Sequence, residues 1–543
     1  MTASLSCRTF DPAASDSGGH FDPKGQLPVS SSQKDLRSLR AFAVALQQRR
    51  ANRRSLLKSG AALGGSLAVS GGVADISPAA PGSPVEAAVA MLAQGLAPGT
   101  ALVTSPRLPL PGIGGSQVAP LLQGDIVNWS EVGSPVPVAV SLVAVEGYLP
   151  EGASATSTVA DYEALVDAVD ADPGAFAMLP LEMIDARVNV LDIDGVNPLF
   201  TLATEEAPLV RIGVAGDIIF GRNGGDRQIE FDDWNLPMYQ VKDFLSSFDV
   251  TVANFECFVS DTIDLATVDD LDFVTRPDSL QGMVDAGLDA VTMANNHAVF
   301  SYAGYGIPGM QETMGHLNDY GITPFGVGMT LDEARAPWVT EVNGVSIAFY
   351  GVDGVTANLD YPTALGVQAM GDNPSAATAS SGGTNPLQMD QCLADIKDLV
   401  SQYDIVLPYF HMGEQYVWTP MQWVVDVSRQ CIDAGATAVL TAHPHATMGM
   451  EIYKGKPIYY SIGNFVYDQM FTVETREGYF LEMTFIGSDL KGFRIHPVDT
   501  LDFVQPRFMS GLQTASFNDR FWRSTDLLRA TRDWDRELTR PPE

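Results

Sequence analysis

The chain is poor in basic residues. Against 66 aspartates and glutamates it has 32 lysines and arginines, so the formal net charge of its 543 residues is −34. Binding to the phosphates of nucleic acids requires a basic surface, and we therefore expect no nucleic-acid partner. The acidic excess instead favours solubility, including in salty surroundings.

Cysteine is scarce as well. The four cysteines, Cys7, Cys257, Cys392 and Cys431, are far apart and form no zinc-type pair. If a leader containing Cys7 is removed, three remain, and at most one disulfide can then form.

Apolar runs of membrane-spanning length are missing too. The uncharged stretch 59–74 is too short and too rich in glycine to be a good span. It follows the charged segment NRRSLLK and ends in small residues, with Gly72 and Ala74 placed as −3 and −1 of a cleavage site. Arg53 and Arg54 resemble a twin-arginine export signal, although a chance arginine pair before an apolar helix is the alternative. We predict a signal region over 1–76 and an extracytoplasmic protein, in the periplasm or at the cell surface.

Two folded regions are expected after the signal. A proline- and glycine-containing linker over 77–84 leads into residues 85–204, which contain short strands and helical pieces. Within them, LLQGDIVNWSEVGSPVPVAV and DPGAFAMLPLEMIDARVNVLDIDGVNPL resemble parts of the phosphate-type substrate-binding proteins of ABC transporters. The resemblance implies a small α/β lobe similar to part of a periplasmic binding protein.

Residues 208–505 alternate apolar strand-like runs with amphipathic helices, which is typical of a layered α/β fold. Near the end, strand-like runs follow one another directly and predict antiparallel strands. Residues 506–543 are predicted to be a helical tail.

Polar side chains follow five of the predicted strands. In open α/β sheets, ligands bind just beyond the carboxyl ends of the strands. Taken singly, such residues are ordinary turn formers or surface histidines. Together they place carboxylate, amide and imidazole groups at one edge, a ligand mixture that suits Mn, Zn or Fe. The groups are Asp217, Asn254 with Glu256, Asn295 with Asn296 and His297, His411 with Glu414, and His443 with His445.

The same segments carry a family resemblance. GDIIFGR, NFE, ANNHA, HMGEQY and AHPHATMGMEIYKGKPIYYSIGNFVYD resemble the poly-γ-glutamate capsule-synthesis proteins of the CapA type, a branch of the calcineurin-like metallophosphatases. The resemblance implies a four-layer α/β/β/α sandwich with two divalent metal ions. It also implies a hydrolase or transferase that acts on poly-γ-glutamate or a related anionic cell-envelope polymer, with other capsule-synthesis membrane components as further partners.

The resemblance also implies roles for individual residues. Asp217 and His445 would hold one metal ion, and Asn296, His411 and His443 the second, with Glu256 as a bridge and His297 as the general acid. Four more residues are candidates for substrate binding, each with a structural alternative. They are Arg222 and Arg276 as anion clamps or members of ion pairs, Glu414 as a partner of a ligand histidine or a helix N-terminal residue, and Asn464 as a substrate contact or a left-handed turn residue.

Departures from the wider pattern keep a second hypothesis open. The usual Asp-x-His is Asp217-Ile-Ile219, the bridging Asp is Glu256, and the usual Trp of His-Trp-Gly is Met412. Phe300 and Ser301 stand where capsule-type relatives often carry an acidic residue. The alternative is a non-catalytic anion- or polymer-binding protein built on a degenerate metallophosphatase scaffold.

Overall fold

The computed structural model describes residues 96–268, 272–301, 303–358, 360 and 375–531. The predicted signal region with Arg53 and Arg54, the linker 77–84, residues 85–95 of the predicted lobe and residues 532–543 of the tail lie outside this part of the chain. All of the described residues belong to one compact unit of the chain. None of the helices in the described part is long and apolar enough to cross a membrane.

The first described region is a small mixed sheet with two helices. Its five-stranded sheet has the order β4-β3-β5-β1-β6, with β1 antiparallel to β5 and β3 parallel to β5. Trp129 and Phe176 meet edge to face in its apolar core, 5.6 Å between ring centroids. The strands are β1 Thr100–Thr104, β2 Gly112–Ile113, β3 Ser141–Val145, β4 Ser157–Val159, β5 Ala175–Pro180, β6 Asn189–Val190 and β7 Asp192–Ile193, and the helices are α1 Val118–Gln123 and α2 Tyr162–Ala171.

The second described region contains two large sheets and nine helices within the described residues. The strands are β8 Leu209–Ile218, β9 Val250–Phe255, β10 Phe258–Val259, β11 Val274–Thr275, β12 Ala290–Thr292, β13 Thr323–Phe325, β14 Val327–Gly328, β15 Trp338–Val342, β16 Val345–Asn358, β17 Gly383–Thr384, β18 Pro386–Leu387, β19 Ile405–His411, β20 Val439–Ala442, β21 Met450–Tyr453, β22 Lys456–Tyr459, β23 Asn464–Val466, β24 Glu477–Ile486, β25 Asp489–Leu501 and β26 Gln505–Phe508. The helices are α3 Arg222–Phe231, α4 Lys242–Leu245, α5 Leu280–Asp285, α6 Gly306–Asp319, α7 Leu331–Arg335, α8 Met389–Val400, α9 Gln422–Asp433, α10 Val473–Arg476 and α11 Leu512–Thr531.

Both sheets are mixed. The first has the order β13-β12-β9-β8-β24-β25-β26, with β23 also paired to β8. Its strands β8, β9, β12 and β13 are parallel, while β24 to β26 are antiparallel. The second has the order β15-β16-β19-β20-β22-β21, with β18 beside β16, and its central strands β16, β19, β20 and β22 are parallel. The predicted α/β organisation is therefore present.

Three apolar clusters hold these layers together. One joins buried side chains of both sheets: Val214, Val252, Phe349, Leu407 and Leu440. Another joins the first sheet to helices α4 to α6: Phe255, Val291, Leu245, Met283 and Met310. The third joins the second sheet to helices α8 and α9: Val352, Phe410, Ile396 and Val427. Because each fully buried side chain of this kind contributes roughly 1.5–3 kcal/mol, the strand ends are held on a rigid scaffold.

A buried charge network lies on the first sheet beside the small mixed sheet. Glu482 accepts hydrogen bonds from Arg211 at 2.9 Å and from His496 at 2.8 Å. Neighbouring Arg494 pairs with Asp192 of β7. Burial alone would raise the pKa of Glu482, but the hydrogen bond from His496 and the charge of Arg211 hold that pKa well below its usual value.

Candidate metal centre

The predicted ligands lie at the carboxyl ends of parallel strands, as the sequence led us to expect. Asp217 is near the end of β8, Glu256 directly follows β9, and Asn296 comes shortly after β12. From the second sheet, His411 is the last residue of β19 and His443 directly follows β20. Since both sheets share one apolar core, the two sets of strand ends can meet.

One group of donor atoms comes from Asp217, Glu256 and His445. Their ligand atoms all lie within 4.8 Å of one another, and all three side chains are buried. The Nδ1 atom of His445 is 3.2 Å from Oδ2 of Asp217.

A second group forms around Nε2 of His411. This nitrogen is 2.8 Å from Oδ1 of Asn296, 3.1 Å from Nδ1 of His443 and 3.6 Å from Oε1 of Glu256. Glu256 therefore lies between the two groups, in the position expected of a bridge. The structure brings all six predicted metal ligands together.

Asn254 is a residue that the sequence analysis placed at a strand end without a role. Its Nδ2 lies 2.8 Å from Oδ1 of Asp217, 2.8 Å from Oε1 of Glu256 and 3.1 Å from Nδ1 of His411. Its Oδ1 accepts from Nδ2 of Asn295, which fixes the orientation of the amide. The two hydrogens of this amide can thus orient the carboxylates of two predicted ligands, and the same nitrogen contacts the ring of a third. The signal in the sequence was its position two residues before Glu256, because residues i and i+2 of a strand share a face.

Asn464 orients His445. Its Nδ2 donates to the Thr475 carbonyl at 2.7 Å, so its Oδ1 faces Nδ1 of His445 at 2.9 Å. In this arrangement Nδ1 carries the hydrogen, and Nε2, which lies 3.5 Å from the Tyr467 hydroxyl, carries the lone pair. The left-handed backbone that we considered for Asn464 belongs instead to the preceding Gly463, with φ 76°. That alternative for Asn464 was wrong.

The electrostatics of the cluster favour a bound cation. Burial and the nearby charge of Asp217 raise the pKa of Glu256 well above its usual value. Burial, reinforced by the neighbouring histidines, lowers the pKa of both His411 and His443 well below the usual value, so both rings are neutral with lone pairs available. Two adjacent buried carboxylates with neutral imidazoles are the surroundings that a divalent cation would stabilise.

Two buried atoms test whether this donor set fits a metal ion. Oε2 of Glu256 and Nε2 of His443 have no hydrogen-bond partner among the residues that the structure describes. An unsatisfied buried polar atom costs about 1–3 kcal/mol, and such atoms persist where a ligand completes the site. The backbone is strained here as well, since His443 and His445 have φ of 101° and 52°. The residues fit a metal centre.

His297 lies beside the ligands and is half-buried. Its ring packs on Phe273 with 4.2 Å between centroids, and its backbone N–H donates to Asn295. Burial, with the nearby His445 and Arg222, lowers the pKa of His297 to about 3. The ring is therefore neutral at pH 7, whereas a general acid must carry a proton to give away.

The other three predicted substrate-binding residues, Arg222, Arg276 and Glu414, have different surroundings. The guanidinium of Arg222 pairs with Asp468 and lies 4.4 Å from the ring centroid of Phe273, on the His297 side of the centre. Arg276 donates to the Ser260 carbonyl at 2.9 Å, which is a structural contact, and it touches none of the predicted ligands. Glu414 is half-buried in the loop between β19 and α9 and forms no hydrogen bond to a ligand histidine within the described residues, nor does it begin a helix.

Two departures from the metallophosphatase pattern have a structural explanation. Ile219 is buried in the apolar cluster between the first sheet and its helices, so no ligand replaces the missing histidine at that position. Met412 is buried in the cluster between the second sheet and its helices. Both residues serve packing.

Comparison with known proteins gives a family for the second region. Residues 211–469 match the family model described as bacterial capsule synthesis protein PGA_cap. The chain is 26% identical over 293 residues to the PGA biosynthesis protein CapA of Bacillus subtilis (strain 168), which covers 52% of this chain and 70% of that protein. It is 25% identical over 268 residues to the capsule biosynthesis protein CapA of Bacillus anthracis, which covers 48% of this chain and 60% of that protein.

Solved structures are more distant. A hypothetical protein from Thermus thermophilus aligns with 54% of this chain and 100% of its own, at 15% identity and a TM-score of 0.33. An ABC-type phosphate transport receptor from Vibrio cholerae aligns with 18% of this chain and 48% of its own, at 18% identity and a TM-score of 0.17. At these TM-scores neither likeness bears on the fold or the function.

Proposed function

We propose, from the match of residues 211–469 to the bacterial capsule synthesis protein family, that this chain is an exported, metal-dependent hydrolase or transferase. Its substrate would be poly-γ-glutamate or a related anionic polymer of the cell envelope, because the two relatives above are named for capsule or PGA biosynthesis. The observation that carries the proposal is the clustering of the six predicted metal ligands, two of which, Glu256 and His443, have a buried polar atom without a hydrogen-bond partner among the described residues. Other capsule-synthesis membrane components are proposed as partners on the same ground.

The architecture proposed with this function is a four-layer α/β/β/α sandwich. Its support is the pair of sheets that share one apolar cluster, together with the helices that pack on each sheet in separate clusters. The small sheet over residues 100–190 is proposed as the lobe that resembles part of a periplasmic binding protein.

Two divalent ions, Mn, Zn or Fe, are proposed for the centre. Asp217 and His445 would hold one, and Asn296, His411 and His443 the other, with Glu256 shared. Such ions supply Lewis-acid chemistry that polarises a phosphoryl or acyl oxygen and makes water a better nucleophile.

The proton-transfer role is proposed for His297. The ring is neutral, so it can accept a proton from an attacking group or donate a hydrogen bond from its N–H. A negatively charged substrate beside the ring would raise its pKa and let it protonate the leaving group, because an opposite charge favours the charged form. Arg222, on the same side of the centre, is proposed as a contact for the polymer's negative charge.

The enzyme proposal is tested with a substrate panel. Mn-loaded protein is incubated with γ-glutamyl polymers and with phosphodiesters, and the release of amine ends or phosphate is measured against a Glu256→Gln variant. Turnover of a γ-glutamyl polymer that the variant lacks is the expected result. If the metal-loaded protein turns over no member of the panel, it is not the enzyme proposed here.

The second candidate function is binding without catalysis. It is favoured by the buried Ile219, which occupies the position where ordinary metallophosphatases have a metal-ligating histidine. Such a protein would hold metal and bind the anionic polymer while releasing no product. Polymer binding without turnover in the same panel would select this candidate.

Export by a twin-arginine route is proposed from the sequence alone. Replacing Arg53 and Arg54 by lysine should leave the protein in the cytoplasm, because twin-arginine recognition depends on more than charge. Fractionation of producing cells measures this. Unchanged secretion of the double variant would indicate ordinary unfolded-chain export.

A further inference from the structure

Tyr416 is an exposed aromatic residue at the edge of the metal centre. It lies in the loop between β19 and α9, and its ring centroid is 6.3 Å from that of His445. The Tyr416 ring also meets that of Phe471 edge to face, at 5.5 Å between centroids. Tyr416 is 41% exposed and Phe471 is 63% exposed, so both rings are accessible from solvent while one of them adjoins a proposed ligand.

The backbone of Tyr416 is held in an unusual conformation. Its φ is 63°, a left-handed value that is uncommon for a bulky residue. Its N–H donates at 2.8 Å to the carbonyl of Pro444, which lies between His443 and His445. Strain of this kind costs of order 1–3 kcal/mol and tends to occur at functional sites. The loop is therefore tied to the segment that carries two of the proposed ligands.

One hydrogen bond, from the side chain of Gln469, holds the phenolic oxygen of Tyr416. Asn464 Nδ2 points towards Oε1 of Gln469 at 3.5 Å, so the other end of that amide, Nε2, donates to the phenolic oxygen of Tyr416 at 3.0 Å. The phenolic hydrogen has no acceptor among the residues that the structure describes. The arrangement leaves a fixed donor at the edge of the centre.

Long-range attraction cannot explain how this chain would bind an anionic polymer. The net charge of −34 opposes a polyanion at a distance. Affinity would have to come from short-range donors around the centre. The phenol of Tyr416 is such a donor, because its oxygen already accepts from Gln469 while its hydrogen remains available.

We infer that Tyr416 is a substrate-binding residue whose phenolic hydrogen donates to a free α-carboxylate of a γ-glutamyl chain, while Phe471 packs against the chain's methylene groups. This inference rests on the substrate class in the proposed function. It does not require turnover, because it concerns binding. The other role open to Tyr416 is purely structural, as an anchor of its loop.

The test compares Tyr416→Phe with wild type in the full-length, Mn-loaded protein. Tyr148→Phe is the matched control, because Tyr148 has the same exposure of 41% and lies in the small mixed-sheet region. Calorimetric titration with γ-linked pentaglutamate should show about a tenfold or greater loss of affinity in Tyr416→Phe, as expected for a hydrogen bond to a charged group. Mn affinity and melting temperature should remain those of wild type, since the ring and the proposed ligands are retained.

A second probe separates binding from a structural role. With the γ-linked pentamer of isoglutamine, in which a carboxamide replaces every α-carboxylate, the difference between wild type and Tyr416→Phe should disappear. Equal affinity of the two proteins for pentaglutamate would overturn the inference, as would a difference that persists with the isoglutamine pentamer or a wild type that does not bind pentaglutamate. Weakened binding by Tyr416→Phe in a protein that never cuts the polymer would support the inference and reject only the enzyme proposal.

Discussion

Replacing Asn254 by alanine tests how the metal centre is assembled. The amide is 2.8 Å from a carboxylate oxygen of Asp217 and 2.8 Å from one of Glu256, and it also contacts Nδ1 of His411. Asn254 is not itself a proposed ligand. Its removal leaves every ligand atom in the chain but deprives the carboxylates of Asp217 and Glu256 of their common hydrogen-bond donor.

The size of the effect follows from that geometry. Loss of a residue that orients metal ligands costs about 10–100-fold in metal affinity, which corresponds to about 1.4–2.7 kcal/mol. Because two of the lost hydrogen bonds end on carboxylates, we expect the upper part of that range. The free energy of unfolding of the metal-free protein should also fall, since the buried acceptors lose their donor.

Calorimetric titration of metal-stripped protein with Mn²⁺ measures the affinity. Asn197→Ala is the control, because Asn197 is a buried asparagine of the small mixed-sheet region whose Oδ1 accepts from the Leu199 N–H. The control should lose about 1 kcal/mol of stability, as helix caps do, with unchanged Mn affinity. Equal or tighter Mn binding by Asn254→Ala would refute the reasoning that this amide assembles the site.

Two further predictions concern proton transfer and acid stability. His297→Asn should lower turnover by about 100-fold in a steady-state assay. Its metal content, measured by elemental analysis, should be nearly unchanged. Loss of metal in this variant would reverse the roles given to Asn296 and His297. Because the folded-state pKa of Glu482 lies below its usual value of 4.5, its contribution to stability is fully present above that pH and is lost as the pH falls further. At pH 7 the free energy of unfolding of Glu482→Gln should be about 3 kcal/mol lower than that of wild type. Denaturant unfolding between pH 7 and pH 3 should then show that this variant loses less stability on acidification than wild type does. An equal pH dependence of the two proteins would contradict this prediction.

The positions of the proposed ligands could be predicted from the sequence because each depends on two local signals. One is the apolar run that forms a buried strand, and the other is the polar residue that follows it. VTVANFE, for example, is a run of buried strand residues followed at once by a carboxylate, and Glu256 lies where this pattern places it. The parallel pairing of β8, β9 and β12 then brings the endings to one edge. Local pattern and general topology suffice for this part of the site.

The supporting contacts could not be predicted, because they join residues that are distant in the chain. Asn254 reaches His411, and Asn464 reaches back to His445, through side-chain positions that only the packed sheets determine. The role of Tyr416 likewise depends on Gln469 and on a backbone conformation with positive φ, neither of which has a pattern in the sequence.

Two helices show where local propensity misleads. Helix α6, Gly306–Asp319, contains three glycines and Pro308, residues that disfavour helix, yet Met310 and Leu317 are buried and packing stabilises it. The helix-like run over 238–248 gives only the short α4, Lys242–Leu245, because 3₁₀ geometry precedes it and serines follow it. Tertiary packing therefore determines the length of α6, and local backbone geometry that of α4.

The metal content of the purified protein tests the central claim most directly. Protein purified without chelator should carry between one and two equivalents of Mn, Zn or Fe. His443→Ala should lose at least half of it, because it removes a proposed ligand whose buried Nε2 has no hydrogen-bond partner among the described residues. Folded wild-type protein that contains no metal by elemental analysis, and takes up none on titration, would contradict the account.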